Sequence, residues 1–273
     1  MNRLRYALAA IMASALVVAC ANPAARVAEF SARHQFQSLL LPGGGYTHVA
    51  YFKPGYATSN TLHVYLEHDG LAWIDAENVS ADPTPRHTLM LATMAQDPSP
   101  SLYLGRPCYF GRHNDTGCGP KLWTHERYSE TVVSAMANAL RVFLSRYDDT
   151  GIVLLGYSGG GTLAMLLAER FPKTQAVITI AGNLDIGAWA KHHDYSPLTG
   201  SLNPAERRPL SSSIKQSHYV GGRDTNVPPE LIESNQSLPI GSVVKIPEFD
   251  HACCWQSWWP NVLRDLENSL ATR

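Results

Sequence analysis

The spacing of apolar positions changes period repeatedly along this chain. Residues 38–41 and 47–52 read as two short strands, and Gly43-Gly44-Gly45 supplies the turn between them. Residues 62–66 form an apolar block that predicts a buried strand. A helix is expected over 87–96 and a short strand over 102–104. Between 127 and 147 the spacing becomes helical, with Val132, Met136, Leu140, Val142, Phe143 and Leu144 as apolar positions. Ile152-Val153-Leu154-Leu155 is a further strand, and a helical pattern over 161–171 follows it and stops at Pro172. Residues 176–180, 218–221 and 243–246 complete the strands. The last helical pattern carries Trp255, Trp258, Trp259, Val262, Leu263, Leu266 and Leu270, with Pro260 expected in its first turn. We read that aromatic stripe as core packing rather than a membrane face. Strands that alternate with helices predict an α/β fold. Its mostly parallel, doubly wound sheet should have about eight strands and helices on both faces.

One motif stands where strand gives way to helix: Gly156-Tyr157-Ser158-Gly159-Gly160. A Gly-x-Ser-x-Gly in that context is the sequence of a nucleophile elbow, which exposes the serine hydroxyl above the sheet. A serine hydroxyl needs a base, and the base needs an orienting acid. Asp224 follows the strand at 218–221, and His251 follows the strand at 243–246. Both therefore lie at the carboxyl ends of strands, on the edge that carries Ser158 and where open α/β sheets bind ligands. Asp185, just past the preceding strand, is a rival acid, and Asp250 adjoins His251. His192-His193-Asp194 reads as a solvated polar cluster rather than a metal site.

The elbow, the Gly221-Gly222-Arg223-Asp224 segment leading to Val227-Pro228, and the late Asp250-His251 resemble the α/β-hydrolase superfamily over residues 37–271. The chain is also similar to a group of bacterial lipoproteins of that fold, through Tyr65-Leu66-Glu67-His68-Asp69-Gly70 and Asn183-Leu184-Asp185. The resemblance implies that Ser158 is the nucleophile, His251 the general base and then acid, and Asp224 the residue that orients the imidazole. It implies an oxyanion hole built from the N–H of Gly159 and that of Asp69, with Gly70 close behind. His68 stands where those lipoproteins usually show glycine. The implied activity is a serine hydrolase of the carboxylesterase type, acting on a small-molecule acyl substrate without cofactor or metal. Thioesterases, acyltransferases and serine peptidases use the same residues, and a surface binding lipoprotein without turnover is the reading from another class. Residues 183–217 leave room for a short cap only. Residues 106–126, which hold Cys108, His113, Cys118 and Trp123, are expected to wall the substrate pocket.

Composition narrows the partners. With 22 basic against 23 acidic side chains and no basic stripe, nucleic acid is excluded as a partner. Length suits one large domain over 36–273, preceded by a tether over 20–35. Residues 1–19 read as a signal peptide, with Arg3 and Arg5 ahead of an apolar run too short to span a bilayer. Val17-Val18-Ala19-Cys20 resembles a bacterial lipobox, which implies cleavage before Cys20 and lipid attachment to it. The chain would then be held on the bilayer by its lipid. Ala21 and Asn22, with no aspartate beside the cysteine, point to the outer membrane and the periplasmic face. Four cysteines remain, and an exported chain favours disulfides. Cys108 with Cys118 is the first pairing. Cys253 and Cys254 are then a vicinal pair or free thiols, or else each bonds one of the loop cysteines. The spacing does not suit zinc.

Overall fold

The computed structural model describes residues 22–56, 60–147 and 150–271; Cys20 and the signal-like segment before it lie outside the described residues. Helix α1 (Pro23–Arg33) comes first, where the sequence reading placed a tether. Its start is a side-chain cap: Asn22 Oδ1 accepts from the N–H of Ala24 at 3.0 Å and of Ala25 at 3.3 Å. Pro23 fills the first turn, where a missing N–H costs nothing. The helix buries Val27 and Ser31 and sets Phe30 against His34 and Phe36, so the domain begins before residue 36.

Strands β1 (Gln37–Gly43) and β2 (Tyr46–Lys53) pair antiparallel, with Gly43 opposite Tyr46. Gly44 and Gly45 make the two-residue turn, at φ +59° and +88°. Two successive left-handed residues match the twist of a hairpin, and glycine adopts them without a Cβ clash. The chain then continues through β3 (Thr61–Leu66), α2 (Leu89–Met94), β4 (Ser101–Leu104), α3 (Glu130–Leu144) and β5 (Gly151–Tyr157). It ends with α4 (Gly159–Ala168), β6 (Thr174–Ile180), α5 (Ile186–His192), β7 (Lys215–Gly221), α6 (Pro229–Glu233), β8 (Val243–Ile246) and α7 (Trp255–Ala271).

The eight strands lie in the order β1-β2-β4-β3-β5-β6-β7-β8. Every neighbouring pair from β4 to β8 is parallel, and the β1–β2 and β2–β4 pairs are antiparallel. This is the mostly parallel α/β sheet expected from the alternation of elements. Every residue of β3 and β5 is buried, because helices cover both faces at the sheet centre. Helix α3 packs on α4, and α2 packs on α7. The winding direction reverses between β3 and β5, so the crevice at their carboxyl ends is the natural ligand site.

Helix α7 differs from expectation at its start. It begins at Trp255, which leaves Pro260 inside the helix rather than in its first turn. Pro260 cannot donate to the Gln256 carbonyl one turn back. The Gln96 side-chain amide donates to that carbonyl instead, at 3.1 Å. Trp255, Trp259, Val262, Leu263 and Leu266 are buried, so the aromatic stripe belongs to the core.

Cys108 pairs with Cys118 and Cys253 with Cys254. The first bond closes a loop of sequence separation 10. Closing such a loop restricts the unfolded chain. Replacing Cys108 and Cys118 together by serine should therefore lower the unfolding free energy by about 2–3 kcal/mol, read as a reduced urea midpoint.

Candidate active site

Strand β5 ends at Tyr157 and α4 begins at Gly159, so Ser158 alone makes the turn, at φ 53° and ψ −121°. Three neighbours hold it there. The Ser158 N–H donates to the Ile180 carbonyl at 3.1 Å, and its carbonyl accepts from Gly161 at 2.9 Å and Asn183 at 3.1 Å. The glycines after it are needed for close approach. A Cβ on Gly159 would collide with the Asp69 carboxylate and the Tyr128 hydroxyl, and one on Gly160 with the Leu66 backbone.

The loop after β8 brings His251 to this serine, with Nε2 3.1 Å from Ser158 Oγ. On the other side of the ring, Nδ1 lies 2.8 Å from Asp224 Oδ2. A carboxylate there accepts only, so Nδ1 carries the proton and Nε2 is free to accept from the serine. Asp224 is buried, and its Oδ1 accepts from the N–H groups of Asn226 and Val227, both at 2.8 Å. The Trp255 indole donates to the carbonyls of Asp250 and His251, both at 3.1 Å, and so holds the histidine loop.

Neither rival carboxylate hydrogen-bonds His251. Asp185 caps α5, accepting from Gly187 at 3.1 Å and Ala188 at 3.0 Å, and also from Asn203 Nδ2 at 2.9 Å. Asp250 Oδ1 accepts from Ala252 at 2.8 Å and Cys253 at 2.7 Å within its own turn.

The loop after β3 lies beside the elbow. Its Asp69 carboxylate takes Arg106 Nη2 at 2.7 Å, Arg127 Nη1 at 2.9 Å and the Tyr128 hydroxyl at 2.7 and 2.6 Å. Burial alone would raise this carboxyl. The two guanidiniums and the Tyr128 hydroxyl outweigh it and hold the carboxyl well below its usual range. The Asp69 carbonyl accepts from Tyr109 at 2.8 Å. Among the described residues, the N–H groups of Asp69 and Gly159 have no partner. Gly70 is different: its N–H donates to His68 Nδ1 at 3.0 Å. His68 Nε2 meets the His87 carbonyl at 3.0 Å, so the ring is neutral with its proton on Nε2, and burial keeps it so. Gly70 is therefore engaged within its own loop. The cause is the imidazole at 68, which supplies an acceptor that glycine there would lack.

Ser158 and His251 open into a cleft of about 330 Å³, lined also by His68, Asp69, Arg127 and Trp189. Trp189 comes from α5, the one helix of the short cap. No residue of 106–126 lines this cleft. That loop packs behind the β3 loop instead, through Tyr109 and through Trp123 Nε1, which donates to the Ser80 carbonyl at 3.1 Å. The expected pocket wall is thus a brace. Among the described residues no group of three or more His, Cys, Asp or Glu side chains could hold a metal ion.

No protein-family model matches this chain, and no curated protein matches it in sequence. Solved structures do match in fold. A puromycin-hydrolyzing peptidase of Mycobacterium tuberculosis superposes with a TM-score of 0.60 at 16% identity, over 86% of this chain and 38% of that one. This chain therefore spans well under half of that peptidase. Est1E from Butyrivibrio proteoclasticus gives 0.56 at 13% identity, over 86% and 99% of the two chains. The esterase domain of a Rhodothermus marinus protein gives 0.53 at 17%, over 85% and 96%. The fold is the α/β-hydrolase fold. In this α/β-hydrolase frame, Ser158 follows β5, Asp224 follows β7 and His251 follows β8.

Sequence reasoning missed Arg106, Tyr109, Arg127 and Tyr128. Nothing in their spacing links them to Asp69, 37 to 59 positions away. Their only signal is position, between the end of β4 and the start of α3, on the edge that carries Ser158.

Glu67 lies beneath the same loop, and its Oε2 accepts from the Met90 N–H at 3.0 Å. Burial pushes its carboxyl from 4.5 up to about 8, against smaller opposing contributions from backbone N–H groups and Arg106. Between those two values the folded protein keeps a proton that the unfolded chain has released, so stability falls as pH rises. Unfolding free energies from urea titrations at pH 5, 6.5 and 8 should decline across the series by an amount on the order of a few kcal/mol. Glu67→Gln, which still offers an oxygen to Met90, should flatten that decline.

Proposed function

We propose that this protein is a serine hydrolase that cleaves carboxylic esters through an acyl-enzyme on Ser158. The observation that carries the reading is the unbroken hydrogen-bonded series from Asp224 through His251 to Ser158 at the floor of an open cleft. In the proposed reaction, Ser158 Oγ attacks the ester carbonyl while its proton passes to His251 Nε2. The N–H groups of Gly159 and Asp69 receive the developing oxyanion. His251 then returns the proton to the departing alkoxide, and the C–O bond to the alcohol breaks. A water repeats the sequence on the acyl-enzyme, giving the carboxylic acid and free Ser158. Asp224 stays ionised and stabilises the imidazolium formed in each half.

What supports esters over amides is that the esterase domain is matched over 96% of its length, whereas the peptidase is matched over 38%. A fluorophosphonate should label the protein, and Ser158→Ala should abolish the label. Asp224→Asn should lower kcat/KM for 4-nitrophenyl acetate about 10³–10⁴-fold, because the wrong imidazole tautomer is then favoured. A folded wild-type protein that takes no label would instead support a binding lipoprotein on this fold.

The same proposal extends to location. Among the described residues no helix is long and apolar enough to cross a membrane. Lipid on Cys20 would hold the enzyme at the membrane surface, at the periplasmic face of the outer membrane. Cells fed labelled palmitate should incorporate it into the wild-type chain, and Cys20→Ala should eliminate incorporation.

A further inference from the structure

The loop beside the elbow carries more positive charge than its partners cancel. Arg106 and Arg127 share one carboxylate, Asp69. Of the other charged or titratable groups near them, the anionic one is Asp224, which is bonded to His251 and not to either guanidinium. Glu67, buried and pushed up to about 8, is largely protonated at neutral pH. His68 is neutral, and the Asp224 carboxylate is engaged by His251, Asn226 and Val227. The Asp69 clamp taken by itself is therefore one positive charge in excess, while the Asp224 carboxylate lies on the far side of His251 from Ser158.

The two guanidiniums are placed differently. Arg106 Nε and Nη1 are sealed in the interior without partners and cannot reach a substrate. Arg127 lines the cleft itself. Its Nε donates to the Thr124 carbonyl at 2.6 Å and its Nη1 to Asp69 at 2.9 Å. Its third nitrogen, Nη2, has no partner among the described residues and is not among the sealed atoms. Two of its three nitrogens are thus fixed by the protein, and the third is left without a protein partner on a side chain that lines the cleft with Ser158 and His251. A guanidinium held in this way loses little side-chain freedom on meeting an anion, which favours a charge-assisted hydrogen bond.

We propose that the cleft selects esters that bear a second, anionic group, a carboxylate, received by Arg127 Nη2. This rests on the serine hydrolase reading and adds a substrate class to it. Arg127 acts here in recognition and takes no part in proton transfer. An uncharged ester leaves Nη2 hydrated, whereas a carboxylate ester of the same size replaces that water with an ion pair inside a partly enclosed cleft.

Two matched pairs of esters test it, one for each side of the scissile bond. Mono-4-nitrophenyl adipate is compared with 4-nitrophenyl hexanoate, and 4-carboxyphenyl acetate with 4-carbamoylphenyl acetate. In at least one pair the anionic ester should have the higher kcat/KM, by about tenfold to a hundredfold at low salt, mainly through KM. The preference should shrink as salt is added to the wild-type protein, a readout that needs no variant. It should be lost in Arg127→Gln and partly kept in Arg127→Lys. Equal kcat/KM within both pairs in the wild type would overturn the subsite while leaving the hydrolase reading intact. If no ester turns over and Ser158 takes no fluorophosphonate, the hydrolase reading fails, and calorimetry with monomethyl adipate decides the subsite separately. Binding to the wild type that vanishes in Arg127→Gln supports it, and absence of binding to the wild type overturns it.

Discussion

Ser158 turns the chain from β5 into α4 with a single residue at positive φ, and partners on two sides impose that conformation. A non-glycine residue so placed costs about 1–3 kcal/mol and persists only where its surroundings over-determine it. Here β5 and α4 are buried along their whole length, and the end of β6 grips the turn through Ile180. The turn in turn requires bare backbone at Gly159 and Gly160, because the end of β3 and the loop after it lie directly against them. The placement of the cleft, the histidine loop and the β3 loop all follow from this tight corner at the sheet centre.

The second constraint is the cost of a partly buried carboxylate. Asp69 sits against the elbow, where a carboxylate shielded from most of the solvent needs partners of its own. Arg106, Arg127 and Tyr128 reach it from three directions, and Tyr109 takes its carbonyl. With side chain and carbonyl both committed, the Asp69 peptide is held rigidly and its N–H is left over. In the proposed reaction that N–H would be an oxyanion donor, and donors that need not reorganise stabilise charge best. The loop at 106–126, tied by its disulfide, supports this arrangement from behind.

What could be read from the sequence was what depends on local period or on position in the chain order. Strands such as β3 and β5 are continuous apolar runs, and Ser158, Asp224 and His251 each stand directly after a strand or one tight turn beyond it. The misses have a different physics. Helix α1 is short and caps itself through Asn22-Pro23, a signal masked by its place beside a leader-like segment. Pro260 sits within α7 because Gln96, far away in sequence, satisfies the carbonyl that the proline abandons. The Asp69 clamp joins residues brought together only by the fold. Gly70 is occupied because of the acceptor two positions earlier, a consequence of His68 that could be drawn only once the ring's orientation was known.

The grip of Trp255 on the carbonyls of Asp250 and His251 has a consequence for the timing of assembly. The serine and the aspartate are both synthesised, and both can find their strands, before the indole that fixes the histidine loop exists. A chain that emerges amino end first therefore holds Ser158 without a positioned His251 until the helix that follows has docked. That order leaves the serine of an unfinished polypeptide without its histidine partner until the carboxyl-terminal helix is in place.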